Sequence, residues 1–161
     1  MNYNNTNVRR QDRLMPENEA RELLDKGEYG YLSMIADDGK PYGIPISYVW
    51  DGKESIYFHV APEGRKLRAI MQNSSVSFCV TGSTNVISNK FTTEYQSIVI
   101  SGNIHRLEDN RECFFALELL LDKYSPNDKT VGMKYAENSF LRTRILRMDV
   151  TEWSGKRKKL G

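Results

Sequence analysis

Apolar positions in this chain follow a helical period at first, switch to a two-residue period near Tyr29, and return to helical spacing in two later stretches. In MPENEARELLDKG, Ala20, Leu23 and Leu24 share one face. Pro16 suits the first helical position, Glu17 and Glu19 suit the positive end, and Gly27 can stop the helix. The spacing predicts an amphipathic helix of about ten residues. From Tyr29 onward, YGYLSMIADDGKPYGIPISYVWDGKESIYFHVA alternates apolar and polar residues and predicts three strands joined at DDGK and WDGK. In the third strand Ile56, Phe58 and Val60 point one way, which sends Ser55, Tyr57 and His59 to the other face.

PEGRKLRAIMQ predicts a short helix with Leu67, Ile70 and Met71 inward, and SSVSFCVTGS predicts a fourth strand carrying Val76, Phe78 and Val80. A long fifth strand, EYQSIVISGNIHRLE, has Ile98, Ile100 and Ile104 on its apolar face, Gly102 as a bend or bulge and His105 at the surface. DNRECFFALELLLDKYSP spaces Phe114, Leu117, Leu120 and Leu121 as the longest helix, ending before Pro126. LRTRILRMDVTEWSG then closes the sheet, followed by GKRKKLG. Strands that succeed one another directly leave too few crossover helices for a parallel sheet. They predict an antiparallel β-barrel with peripheral helices. One domain is expected over residues 13–155, with a flexible polar arm at 1–12 and a basic tail at 156–161.

At 161 residues the chain is long enough for a single core, since a domain of about 150 residues buries roughly 68–70% of its unfolded surface. The balance of 23 Lys+Arg against 21 Asp+Glu leaves a formal charge of +2, so no global field selects nucleic acid or a membrane as partner. Any basic site has to be local. Cys79 and Cys113 have no metal-ligand spacing and read as reduced thiols. No apolar run approaches the roughly 18 residues of a membrane span, and MNYNNTNVRR has no apolar leader, so a cytoplasmic location is expected.

The most informative segment for chemistry is HVAPEGRKLRAI, where Glu63, Gly64, Arg65 and Lys66 turn from strand to helix. A helix N-terminus offers unpaired N–H groups and the positive dipole end, to which Arg65 and Lys66 add charge. This fits a phosphate cradle; a solvated basic turn is the plainer alternative. It is not a Walker loop, because GxxxxGK followed by Ser or Thr is missing.

The ordered set FHVAPEGRK, EYQSIVISG and EWSGKRK resembles the FMN-binding split β-barrels related to pyridoxamine 5'-phosphate oxidase, over nearly the whole span from Arg13 to Lys158. His59 and the phrase PYGIPISY make it most similar to the 5-nitroimidazole-resistance branch. The resemblance implies a six-stranded antiparallel Greek-key barrel and a homodimer with FMN at the subunit interface. It implies an FMN phosphate held by Gly64, Arg65 and Lys66 after an aromatic pair, Tyr57 and Phe58, with Pro45, Ile46 and Ser47 along the ring. It further implies flavin contacts from Gln96 and its neighbours Tyr95 and Ser97, and from Trp153 and Arg157. Trp153 has capping of the core as its alternative.

His59 is the candidate catalytic residue, either delivering a proton to a substrate that receives hydride or only hydrogen-bonding the flavin. The activity implied is FMN-dependent reduction of a small electrophile such as a nitroimidazole. No GxGxxG is present, so NAD(P)H would dock only transiently. The rivals are a non-catalytic flavin- or haem-binding barrel and a deazaflavin-dependent one. The chain ends in KRKKLG and lacks the RLHDR-like substrate motif, so oxidation of pyridoxamine phosphate is not implied.

Overall fold

The structure, a computed structural model, describes residues 1–139 and 143–159. Leu141 and Arg142, where the closing strand was expected to begin, and Leu160 and Gly161 of the expected tail lie outside the described residues. Helix α1 (Glu17–Lys26) is followed by β2 (Tyr29–Ile35), β3 (Pro41–Ser47), β4 (Val49–Trp50) and β5 (Ser55–Val60). After α2 (Arg65–Gln72) come β6 (Ser75–Ile87) and β7 (Thr92–Arg106). Then come α3 (Asn110–Tyr124), α4 (Lys129–Ser139) and β8 (Arg144–Lys158); a short β1 (Asn2–Tyr3) precedes them all. The Asp-Gly turns form as expected, with Gly39 and Gly52 at φ +78° and +76°, a region glycine enters without steric cost.

The strands form one curled sheet in the order β3-β2-β6-β7-β8-β5-β4, and β1 pairs in parallel with the outer flank of β8. Every pair on the main path is antiparallel. Chain order is broken where β6 returns beside β2 and where β8 inserts between β7 and β5. The fold is the expected mainly antiparallel split barrel: the six long strands make the barrel, and the two-residue β1 and β4 are additions at its margins.

Alternation fills the inside of the barrel with Leu32, Phe58, Phe78, Ile98, Ile100 and Leu146, while Ala20 and Leu24 of α1 seal one flank. Gly102 sits at a break in the β7–β8 register, and a Cβ there would lie 2.3 Å from the Asp149 carbonyl oxygen, so the bulge needs glycine. A second apolar cluster forms outside the barrel, where α3 lays Cys113, Ala116 and Leu117 over Val49, Tyr57 and Ile145.

Three features depart from the sequence expectation. Met71 is 86% exposed, because Ala69 and Ile70 take the buried side of the short α2. Residues 156–158, expected in a tail, are ladder members: Lys156, Arg157 and Lys158 lie opposite Ser97, Gln96 and Tyr95. At the other end, Asn2 and Tyr3 of the arm run beside Glu152 and Trp153, and the Tyr3 hydroxyl donates to the Met15 carbonyl at 2.6 Å.

Candidate functional site

His59 leaves the barrel interior because it shares the outward face of β5 with Tyr57. Helix α3 covers Tyr57: Phe115 meets its ring edge-on and Glu112 accepts its hydroxyl at 3.0 Å. His59, one rung further along, is left open. It faces a groove of 590 Å³, within the usual size of small-molecule sites. One wall is the end of β3, with Pro45, Ile46 and Ser47; the opposite wall is α3 and α4, with Leu117, Leu120 and Tyr135. Strand β3 is the end strand of the sheet, where a proline lacking an N–H is tolerated.

The groove is mainly apolar, and His59 is the imidazole among its lining residues, which also include the phenols of Tyr124 and Tyr135. Although the imidazole is reachable from solvent, the protein packed around it excludes enough water to disfavour its charged form, so its pKa falls below the ordinary 6.5. His59 is therefore neutral at pH 7.

The Tyr124 hydroxyl braces the end of α3 against the barrel, accepting the Tyr48 N–H at 3.0 Å and facing the carbonyls of Glu28 at 2.5 Å and Tyr48 at 2.9 Å. Behind it, Lys123 places its ammonium 3.8 Å from the centre of the Tyr48 ring, and burial pulls its pKa down to about 8.

At the other end of β3, the turn into α2 carries the candidate phosphate cradle. Gly64 adopts φ +135° immediately before the helix, and the first turn holds no carboxylate. Arg65 lies 4.4 Å over the Tyr42 ring and 3.8 Å from Asp38, and Arg68 pairs with Asp37 at 2.9 Å. Lys66 is half-buried and makes no ion pair among the described residues, so it is the cation of this turn left uncommitted. Tyr42 and Pro45 lie three residues apart on β3, about 10 Å at strand rise, so one extended strand joins the cationic turn to the groove.

The other expected contacts do not gather here. Phe58 is 0% exposed and packs edge-on against Phe78 inside the barrel, and Tyr57 is 3% exposed beneath α3; neither ring has a free face for a cofactor. Trp153 is 1% exposed, with Tyr3 against it at 4.8 Å, and so caps the core, the alternative reading of that residue. Gln96 lines a separate groove against α1, beside Glu19, Lys26 and Thr81, and Arg157 is held by Glu19. Tyr95 and Ser97 flank Gln96 on the same stretch of β7. Within one chain, the His59 groove and the Gln96 end of the barrel are thus different places.

Sequence reasoning missed the α4 wall. Its trace was there: Leu119, Leu120 and Leu121 are too many adjacent apolar residues for one helix face, and Val131 and Tyr135 recur at a four-residue interval. Among the described residues no cluster of His, Cys, Asp and Glu is arranged to hold a metal, and no helix is long and apolar enough to cross a membrane.

Similar architectures are known. The fold superimposes on a candidate 5-nitroimidazole antibiotic resistance protein from Bacteroides thetaiotaomicron VPI-5482, with a TM-score of 0.73 at 15% identity, covering 90% of this chain and 86% of that one. It also matches an FAD and haem binding protein from Mycobacterium smegmatis, with a TM-score of 0.68 at 19% identity, covering 90% and 72%. An FAD-binding protein from Mesorhizobium loti matches with a TM-score of 0.64 at 20% identity, covering 92% and 97%. At such identities the likeness is one of fold. No curated protein matches the sequence. The sequence profile of the pyridoxamine 5'-phosphate oxidase family, however, matches residues 16–157, nearly the whole chain, and the chain belongs to that family.

Proposed function

We propose that the protein is an FMN-dependent reductase of small electrophiles, nitroaromatic compounds such as nitroimidazoles among them. The observation that carries this reading is β3 itself, which joins an uncommitted cation at a helix N-terminus, Lys66, to an apolar groove holding a single imidazole. A phosphate fits the first end, at the N-terminus of α2 beside Lys66; a planar ring fits the second, along Pro45, Ile46 and Ser47. FMN bound there would supply hydride transfer. The chain's own part is to hold the phosphate with Gly64, Arg65 and Lys66, exclude water with α3 and α4, and present His59. Two of the proteins similar in fold are FAD-binding, which supports a flavin without choosing its form.

His59 is neutral at pH 7, so its first role is to hydrogen-bond a ligand. As a proton donor it would act only below its lowered pKa, which ties proton delivery to acidic conditions. A homodimer completes the reading. Its support is an apolar row on the outer face of the sheet, where the register aligns Pro45, Tyr31, Cys79 and Val99 across four strands, with Tyr29 and Ile35 exposed beside it. Pairing through this face would let Gln96 or Arg157 of one chain approach the groove of the other. NAD(P)H is the proposed reductant and the cytoplasm the proposed location.

The test is anaerobic turnover of a nitroimidazole by the purified protein with NAD(P)H, followed by loss of the nitro absorbance. Turnover that needs added FMN and falls in the Lys66→Ala variant supports the reading; a flavin-loaded protein inert toward every nitroaromatic offered would refute the substrate class. Because one fold relative binds haem as well, the spectrum of the purified protein also decides between a flavin band and a Soret band.

A further inference from the structure

A groove of 560 Å³ lies at the far end of the barrel, where the arm before α1 runs beside the end of β8. Five cationic side chains line it, Arg10, Arg13, Arg157, Lys158 and Lys159, together with Asp12. The arm is fixed there by the bridge between Leu14 and Lys156 and by the Met15 N–H donating to the Gly155 carbonyl at 3.0 Å. The β7–β8 ladder fixes residues 156–158 in turn, so cations that composition alone assigns to a solvated tail are held in place.

Carboxylates offset only part of this charge. Asp12 pairs with Arg10 at 2.5 Å, which holds its carboxyl down at about 2, and also lies 3.8 Å from Arg13, while Glu19 pairs with Arg157. Two carboxylates against five cations leave an excess of three in a chain whose whole net charge is +2. Tyr95 lies in the same field: burial pushes its hydroxyl up, yet the hydrogen bond from Arg13 and the nearby Lys156 outweigh burial and leave it below the ordinary 10. Lys156 sits 5.9 Å from the centre of the Tyr95 ring.

We propose that this groove binds a diphosphate group, such as that of a nucleotide, with Arg13 and Lys159 on the phosphate oxygens. An excess of three cations matches a diphosphate better than a single phosphate, and the volume suits one small ligand. Arg157 is shared with the proposed flavin reading, so the test rests on Arg13 and Lys159, which that reading does not use.

Titration calorimetry of the protein as purified, with inorganic pyrophosphate, ADP and AMP at low and raised salt, tests this, with the flavin absorbance recorded in parallel. The expected result is that pyrophosphate and ADP bind, AMP binds more weakly, and the Arg13→Glu, Lys159→Glu double variant loses at least tenfold in ADP affinity with an unchanged circular dichroism spectrum. Arg111→Glu, an exposed charge change on α3, should leave ADP binding intact. Silence toward both pyrophosphate and ADP at low salt overturns the inference, as does an equal loss in Arg111→Glu. Release of flavin by pyrophosphate also overturns it, since the groove would then be the flavin's own phosphate site. A protein that binds no flavin but still binds ADP contradicts the reductase and leaves this site standing.

Discussion

At the scale of single residues, two side chains separate binding from chemistry. Lys66 has no carboxylate partner among the described residues, whereas Arg65 and Arg68 face Asp38 and Asp37. Lys66→Ala is thus expected to weaken FMN binding about tenfold or more, the scale of one charge-assisted hydrogen bond, with little change in melting temperature. His59 makes a claim about pH. Its folded pKa lies below the ordinary 6.5, so between the two values the unfolded chain binds more protons and stability rises with pH. Denaturant unfolding of His59→Gln should show a flatter pH dependence below pH 6.5 than the parent; an identical slope would mean that the imidazole is not desolvated. Alternation in SIYFHV put His59 outside the barrel, and that much was legible. The burial of Tyr57 was not, because the helix that covers it lies more than fifty residues later in the chain.

Elements tell a similar story of local signals read correctly and distant ones lost. The strands and the two Asp-Gly turns follow from period and turn chemistry, as does the bulge at Gly102. What the pattern could not supply was the partner of each element: the EWSGKRK strand reads as strand then tail because nothing in it announces that β7 continues alongside to Thr92. Helix α4 escaped notice because its apolar positions are few and one of its neighbours is a groove rather than a core. The brace at Tyr124 belongs to this scale, since it ties α3 to Tyr48, between β3 and β4, and to Glu28 before β2 through one hydroxyl. Tyr124→Phe leaves the Tyr48 N–H without its acceptor and is expected to cost about 1–3 kcal/mol in chemical unfolding. It should also loosen the α3 wall of the groove; unchanged stability would show the brace to be incidental.

For the whole molecule, the arrangement explains why no single groove collects all the residues that the family likeness suggested. Those on β3, β5 and α2 face one side, while Gln96 and Arg157 lie near α1 at the other, so under the proposed reading a second chain would complete the site. The row of Tyr31, Cys79 and Val99 is where a second copy is expected to pack. Tyr31→Glu should therefore shift the protein toward monomer in sedimentation and weaken flavin binding with it; a variant that stays dimeric and keeps its flavin would place the interface elsewhere. All of this rests on one claim, that the chain carries a flavin with its phosphate at the start of α2. The most direct test is the absorption spectrum of the purified protein during FMN titration. Saturable uptake at one FMN per chain is expected, with shifted flavin bands and a raised melting temperature. Free-flavin bands throughout, with no change in melting temperature, would contradict it.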